Sequence, residues 1–138
     1  MAEQIDWMYL PKDVWSPRYD TNFYSVKVEG FGRKQSLVPG PNVGGNSNLP
    51  ACYYKINVYR GHETKTVWRR YSQFKWLHQQ LHRASSFPPG TCPWQKQDDE
   101  FCNLRKDELQ DYVDAALEQP ENARHAAVVA FLELETPR

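Results

Sequence analysis

No stretch of this chain is apolar for long enough to cross a bilayer, and its first residues include Glu3 and Asp6 in place of a hydrophobic run. The sequence therefore predicts neither a signal peptide nor a transmembrane helix, and any membrane contact is expected to be peripheral. An excess of charge is missing too: 17 basic and 17 acidic residues give a formal net charge of zero. General binders of nucleic acid or polyanions carry a basic surplus, so anion recognition here has to come from a local pocket. Cysteine is scarce. Cys52, Cys92 and Cys102 are odd in number and lack the spacing of a disulfide framework, which favours a reducing, intracellular setting. Also absent are a Cys-x5-Arg phosphatase loop, a phosphate-binding glycine loop and a Gly-x-Ser-x-Gly elbow, so the sequence predicts no enzyme. Internal repeats and low-complexity runs are missing as well. What remains, 138 residues with 40% hydrophobic and 14% aromatic content, suits one folded domain.

Residues 1–20 hold Ile5, Trp7, Met8, Leu10, Val14 and Trp15 without a clean period, broken by Pro11 and Pro17, and are expected to pack on the domain itself. The first strand signal is residues 23–29, where Tyr24, Val26 and Val28 alternate with Ser25, Lys27 and Glu29. Residues 31–50, rich in glycine, proline and asparagine, read as a long loop. A second strand follows over 53–59, and Arg60-Gly61-His62 reads as a tight turn into a third over 63–70, making an antiparallel meander. A helix is predicted over about 72–83, with Ser72 as its N-cap. A second begins near Asp98 or Asp99, with the apolar stripe Phe101, Leu104, Leu109, Tyr112, Val113, Ala116 and Leu117. Pro120 and Asn122 mark a restart, and Ala126, Ala127, Val128, Phe131 and Leu132 form a final amphipathic helix.

Two places carry chemistry. At Trp68-Arg69-Arg70-Tyr71-Ser72-Gln73-Phe74 a strand runs into a helix, joining a guanidinium fork to the free N–H groups of a helix N-terminus. That combination suits an anion. Strand alternation puts Thr64, Thr66, Trp68 and Arg70 on one face and Lys65, Val67 and Arg69 on the other, so the two arginines cannot line one pocket; a pair of solvated strand-end arginines is the plainer alternative. In the second helix Arg105 sits at the edge of the apolar stripe, four residues from Phe101 and four from Leu109. An inward guanidinium needs an anionic partner, either a ligand or Glu108 at i,i+3. His78 and His82 stand at i,i+4, but the segment lacks the Glu of the metalloprotease motif, and Cys92 with Cys102 forms no knuckle. They read as ordinary helix histidines, and neither metal nor cofactor is expected.

With these pieces in order, residues 22–134 resemble the phox-homology (PX) domain, the lipid-binding module of sorting nexins. Trp68-Arg69-Arg70-Tyr71-Ser72-Gln73-Phe74 matches its Arg-Arg-Tyr-Ser-x-Phe signature. Phe101-Cys102-Asn103-Leu104-Arg105-Lys106-Asp107-Glu108-Leu109-Gln110-Asp111-Tyr112 matches its Phe-x-x-x-Arg-x-x-x-Leu-x-x-Tyr helix, and Phe131-Leu132-Glu133 closes the pattern. The resemblance implies an α+β fold, a three-stranded antiparallel β-meander packed against a subdomain of three to four helices. It divides the chain into an aromatic N-terminal extension (1–21), the PX domain (22–135, with the loop 31–50) and a tail (136–138).

The resemblance also implies a phosphoinositide ligand, phosphatidylinositol 3-phosphate being the family's commonest. Arg70 would hold the 3-phosphate, Tyr71 would stack on the inositol ring, and Arg105 would bond the 4- and 5-hydroxyls. Family members usually carry Lys directly after a proline-rich run; here the run is Phe87-Pro88-Pro89-Gly90-Thr91-Cys92-Pro93-Trp94-Gln95-Lys96, and Lys96 is the displaced counterpart. Phe87 and Trp94 are expected to enter the membrane interface beside the pocket. The expected setting is cytoplasmic, peripheral to endosomal membranes. The rival reading, a PX-fold module that binds a protein partner through the N-terminal extension, draws on Trp7, Trp15 and the altered proline run. Nucleic-acid binding is disfavoured by the neutral charge.

Overall fold

The computed structural model describes residues 5–34, 51–81, 86–90 and 98–134. Strands β1 (Met8–Tyr9), β2 (Phe23–Lys34), β3 (Ala51–Arg60) and β4 (Glu63–Arg70) form one sheet in that spatial order. Helices α1 (Tyr71–Gln80), α2 (Asp99–Leu117), α3 (Pro120–Ala123) and α4 (Ala126–Leu132) follow. The expected meander is present as β2, β3 and β4, antiparallel throughout. A fourth strand departs from the expectation. Residues Met8 and Tyr9 pair in parallel with Phe23 and Tyr24, a contact too short to leave a periodic signal.

The second difference lies in β2. The sequence places this strand over 23–29 and a loop rich in glycine, proline and asparagine over 31–50. In fact the ladder shifts register between Val28 and Gly30 and then continues, Gly30 opposite Lys55 and Gly32 opposite Tyr53. A bulge of this kind leaves one residue unpaired and lets pairing resume. Of the predicted loop, residues 31–34 are therefore strand, and 35–50 lie outside the described residues.

Each helix start has a local cause. Ser72 does not cap α1: the helix begins one residue earlier, Arg70 is the N-cap, and Gln73 Oε1 accepts from its backbone N–H at 2.9 Å. That bond belongs to the reciprocal half of a capping box, and the Ser72 hydroxyl is left inside the first turn. Asp98 caps α2 by accepting from the Phe101 N–H at 2.9 Å, with Asp99 and Glu100 in the positive first turn. Pro120 opens α3, and His125 caps α4 by accepting from the Ala127 N–H.

The core lies between the inner sheet face and α1, α2 and α4. Tyr24, Val26 and Val28 of β2 meet Tyr54, Ile56 and Val58 of β3, together with Phe74, Leu109, Tyr112, Val113 and Phe131. Leu104 departs from the predicted stripe at 62% exposure, because the buried face of α2 runs through Cys102, Arg105 and Leu109 instead. The N-terminal aromatics join the core: Trp7 and Tyr9 both set a ring edge-on to Tyr24, and the Tyr9 hydroxyl donates to the Asp114 carboxylate. Arg60 lies 4.6 Å above the Trp7 ring and donates to the carbonyls of Thr21 and Leu134, tying both ends of the chain to the hairpin.

Candidate functional site

The β4–α1 junction puts the two adjacent arginines in different environments, as strand alternation requires. Val67 and Arg69 are buried on the inner face. Arg69 Nε donates to the Phe131 carbonyl at 3.1 Å, Nη1 to the Trp68 carbonyl at 2.8 Å and Nη2 to the Glu133 carboxylate at 3.0 Å. Burial lowers its pKa, and Glu133 opposes that shift. Lys65 joins from the same face, 3.4 Å from Glu133. Glu133 itself is the left-handed C-cap of α4, with φ of 56°. Arg69 is thus a clasp between β4 and the end of α4.

Arg70 leaves from the opposite face. It pairs across the ladder with Tyr53, its guanidinium carbon 5.9 Å from the ring centroid. Its Nη1 is buried without a hydrogen-bond partner, as is the hydroxyl of Ser72, the second residue of α1. Tyr53 was not anticipated as a site residue; counting back from the Gly61–His62 turn would have found it, because a two-residue hairpin fixes every cross-strand pair.

Arg105 reaches the same region from α2. It is 4% exposed, and its guanidinium carbon lies 4.3 Å over the Tyr71 ring and 4.9 Å from the Phe101 ring. Nη2 donates to the Pro89 carbonyl at 2.7 Å. Both alternatives for this residue are visible at once. Its Nε is 3.5 Å from a Glu108 carboxylate oxygen, the anticipated i,i+3 pair, yet Nε makes no hydrogen bond and is buried. Three of the four buried side-chain atoms without a hydrogen-bond partner among the described residues therefore sit here, on Arg70, Ser72 and Arg105. Buried polar groups are nearly always paired, and an unmade bond costs roughly 1–3 kcal/mol.

Tyr71 closes the arrangement. Its hydroxyl donates to the Pro88 carbonyl at 2.7 Å, and burial raises its pKa while the Arg105 charge opposes that shift. The start of the proline run thus crosses the site as a strap, with residues 88 and 89 each supplying a carbonyl to one of the site's side chains. Phe87, expected at the membrane interface, is half-buried and packs 5.3 Å from Tyr71, 4.9 Å from His78 and 5.0 Å from Tyr112. Trp94 and Lys96 lie outside the described residues.

The chemistry on offer is recognition. Two guanidinium groups beside a tyrosine ring and a helix N-terminus are groups that suit an anion. Among the described residues no group of His, Cys, Asp or Glu is placed to hold a metal, and no helix is long and apolar enough to cross a membrane.

Comparison with known proteins agrees with this geometry. A comparison with curated proteins finds no match. A solved structure described as the X-ray structure of a designed CISK-PX domain superposes with a TM-score of 0.63 at 28% identity, over 78% of this chain and 97% of that one. The family model described as PX domain matches residues 57–135, more than half of the sequence. That span runs from β3 through the arginine junction and the strap to the end of α4, so the chain belongs to the PX family, modules that bind phosphoinositide head groups at membrane surfaces.

Proposed function

We propose that this chain binds phosphatidylinositol 3-phosphate through Arg70, Tyr71, Arg105 and Lys96 and recruits its protein to endosomal-type membranes. The observation that carries the reading is the set of unpaired buried donors on Arg70, Ser72 and Arg105. Buried donors without a hydrogen bond, carried by the β4–α1 junction and by the α2 arginine over Tyr71, are what an anionic ligand would satisfy. In this reading Arg70 holds the 3-phosphate, the Tyr71 ring supports the inositol, Arg105 bonds the 4- and 5-hydroxyls, and Lys96 meets the 1-phosphate. Trp94 enters the membrane interface, where an indole buries its ring and keeps its N–H wet.

Sedimentation with liposomes carrying each phosphoinositide, alongside an RNA control, tests the proposal. Selective pelleting with the 3-phosphate lipid is the expected result. Equal pelleting with every anionic lipid, or none with any, refutes it. Trp94→Ala adds a finer check: liposome binding should fall several-fold, about 1 kcal/mol for one lost interfacial ring. Affinity for soluble inositol 1,3-bisphosphate should hold, and a parallel fall in both would place Trp94 in the pocket instead.

A further inference from the structure

The helix histidine that had no role in the sequence reading stands behind the site. His78 Nδ1 and the Tyr112 hydroxyl share a hydrogen bond of 2.9 Å, and the imidazole stacks on Phe87 with centroids 4.9 Å apart and planes 14° from parallel. Phe87 also meets the Tyr112 ring edge-on at 5.0 Å. The next two residues are Pro88 and Pro89, whose carbonyls accept from Tyr71 and Arg105 at 2.7 Å each. Proline restricts both its own φ and the residue before it, so a strap of two prolines moves nearly as one body with Phe87. Wherever the Phe87 ring is seated, the two carbonyls follow.

We propose that His78 is a positioning residue for head-group recognition: by seating Phe87 it fixes the proline strap, and the strap aims Tyr71 and Arg105. The inference rests on the lipid-binding reading above and adds to it a determinant away from the ligand. α1 and α2 supply the wall, His78 and Tyr112, and packing against both rings seats Phe87. Phe87 lies flat against the imidazole. A side chain that only filled space would do so in any orientation; the near-parallel stack makes the ring plane itself the information passed to the strap.

The test uses the full chain and two readouts. His78→Ala and Phe87→Leu should each weaken binding of soluble inositol 1,3-bisphosphate about three- to tenfold, the weight of one aromatic contact. The double variant should lose no more than the worse single, since both break one contact. His78→Phe, which restores a ring on Phe87, should return affinity to within about threefold of the original. The Arg105 Nε–Hε resonance, followed by NMR without ligand, should shift or broaden in His78→Ala and Phe87→Leu while amides of residues 126–132 stay in place. An unmoved Arg105 resonance in both variants overturns the proposal, as does His78→Phe binding no better than His78→Ala. Should His78→Ala fail to fold, an unmoved Arg105 resonance in Phe87→Leu, or His78→Phe binding more than about tenfold weaker than the original chain, overturns the proposal. If the unmodified chain does not bind the head group, the lipid reading fails and the recognition role of His78 falls with it, while a responding resonance would leave only the mechanical link from His78 through the strap to Arg105.

Discussion

Arg69 turns its guanidinium into the space between β4 and α4, where two backbone carbonyls and the Glu133 carboxylate receive its three nitrogens. Arg70, the next residue, turns to the other face, where it lies across from Tyr53 and keeps a buried nitrogen without a hydrogen bond. The same side chain serves the fold in one place and, in the proposed reading, a ligand in the other. What separates them is the half-turn per residue of an extended strand, and whether the space faced is already lined with acceptors. An arginine whose donors are matched is part of the structure; one whose donors are not is a candidate for function.

Removing the matched one should do the most harm to the fold. Arg69→Gln leaves the Phe131 carbonyl without its donor and Glu133 with Lys65 alone among the described residues, and breaking a buried pair in this way costs about 3–5 kcal/mol. Denaturant unfolding should show the loss as a lowered midpoint. A midpoint close to the original would mean that the clasp is replaceable and that the contrast between the two arginines is not one of stability. Arg70→Gln should do the reverse. It should weaken head-group binding by an order of magnitude or more, since a charge-assisted bond is worth about 1.5–3 kcal/mol, with little change in unfolding. Titration with inositol 1,3-bisphosphate checks this, and comparable binding losses in folded Arg69→Gln would break the comparison.

Arg105→Ala comes next. It removes a hydrogen bond to the strap and, in the proposed reading, one to the ring hydroxyls, so binding should fall about tenfold. The melting temperature should barely move, because a buried charge paired only with the half-exposed Glu108 among the described residues is removed along with the packing. A fall of many degrees with unchanged binding would assign Arg105 to the Glu108 pair and the helix. The smallest effect is expected from Glu108→Gln. Its side chain is 44% exposed, and ion pairs at such positions contribute about 0–1 kcal/mol, so binding should change by no more than about threefold. A larger gain in affinity would show that Glu108 competes with the ligand for Arg105.

Much of the site was legible because it is written in short periods. Alternation along β4 separated Arg69 from Arg70, and the helical spacing of α2 marked Arg105 as out of place, before any contact was known. Local signals failed where a distant partner decides. Met8 and Tyr9 become a strand only because Phe23 and Tyr24 lie beside them. Ser72 looks like a cap, yet the helix starts earlier because the Gln73 amide reaches back to Arg70. Leu104 fits the apolar stripe by spacing and is exposed because the sheet and helices press on the neighbouring line of residues.

By itself the sequence determined the order of the three meander strands and the helices after them, the antiparallel hairpin, the faces of β4 and the inward bias of Arg105. All of these follow from backbone periodicity and from where apolar side chains recur along the chain. Tertiary structure alone decided that Arg69 would find Glu133, that Phe87 would turn inward to His78 and Tyr112, and that the proline strap would lie over Tyr71 and Arg105. Those outcomes depend on groups many residues apart arriving at one place with matched donors, acceptors and ring faces, and no short stretch of sequence specifies such a meeting.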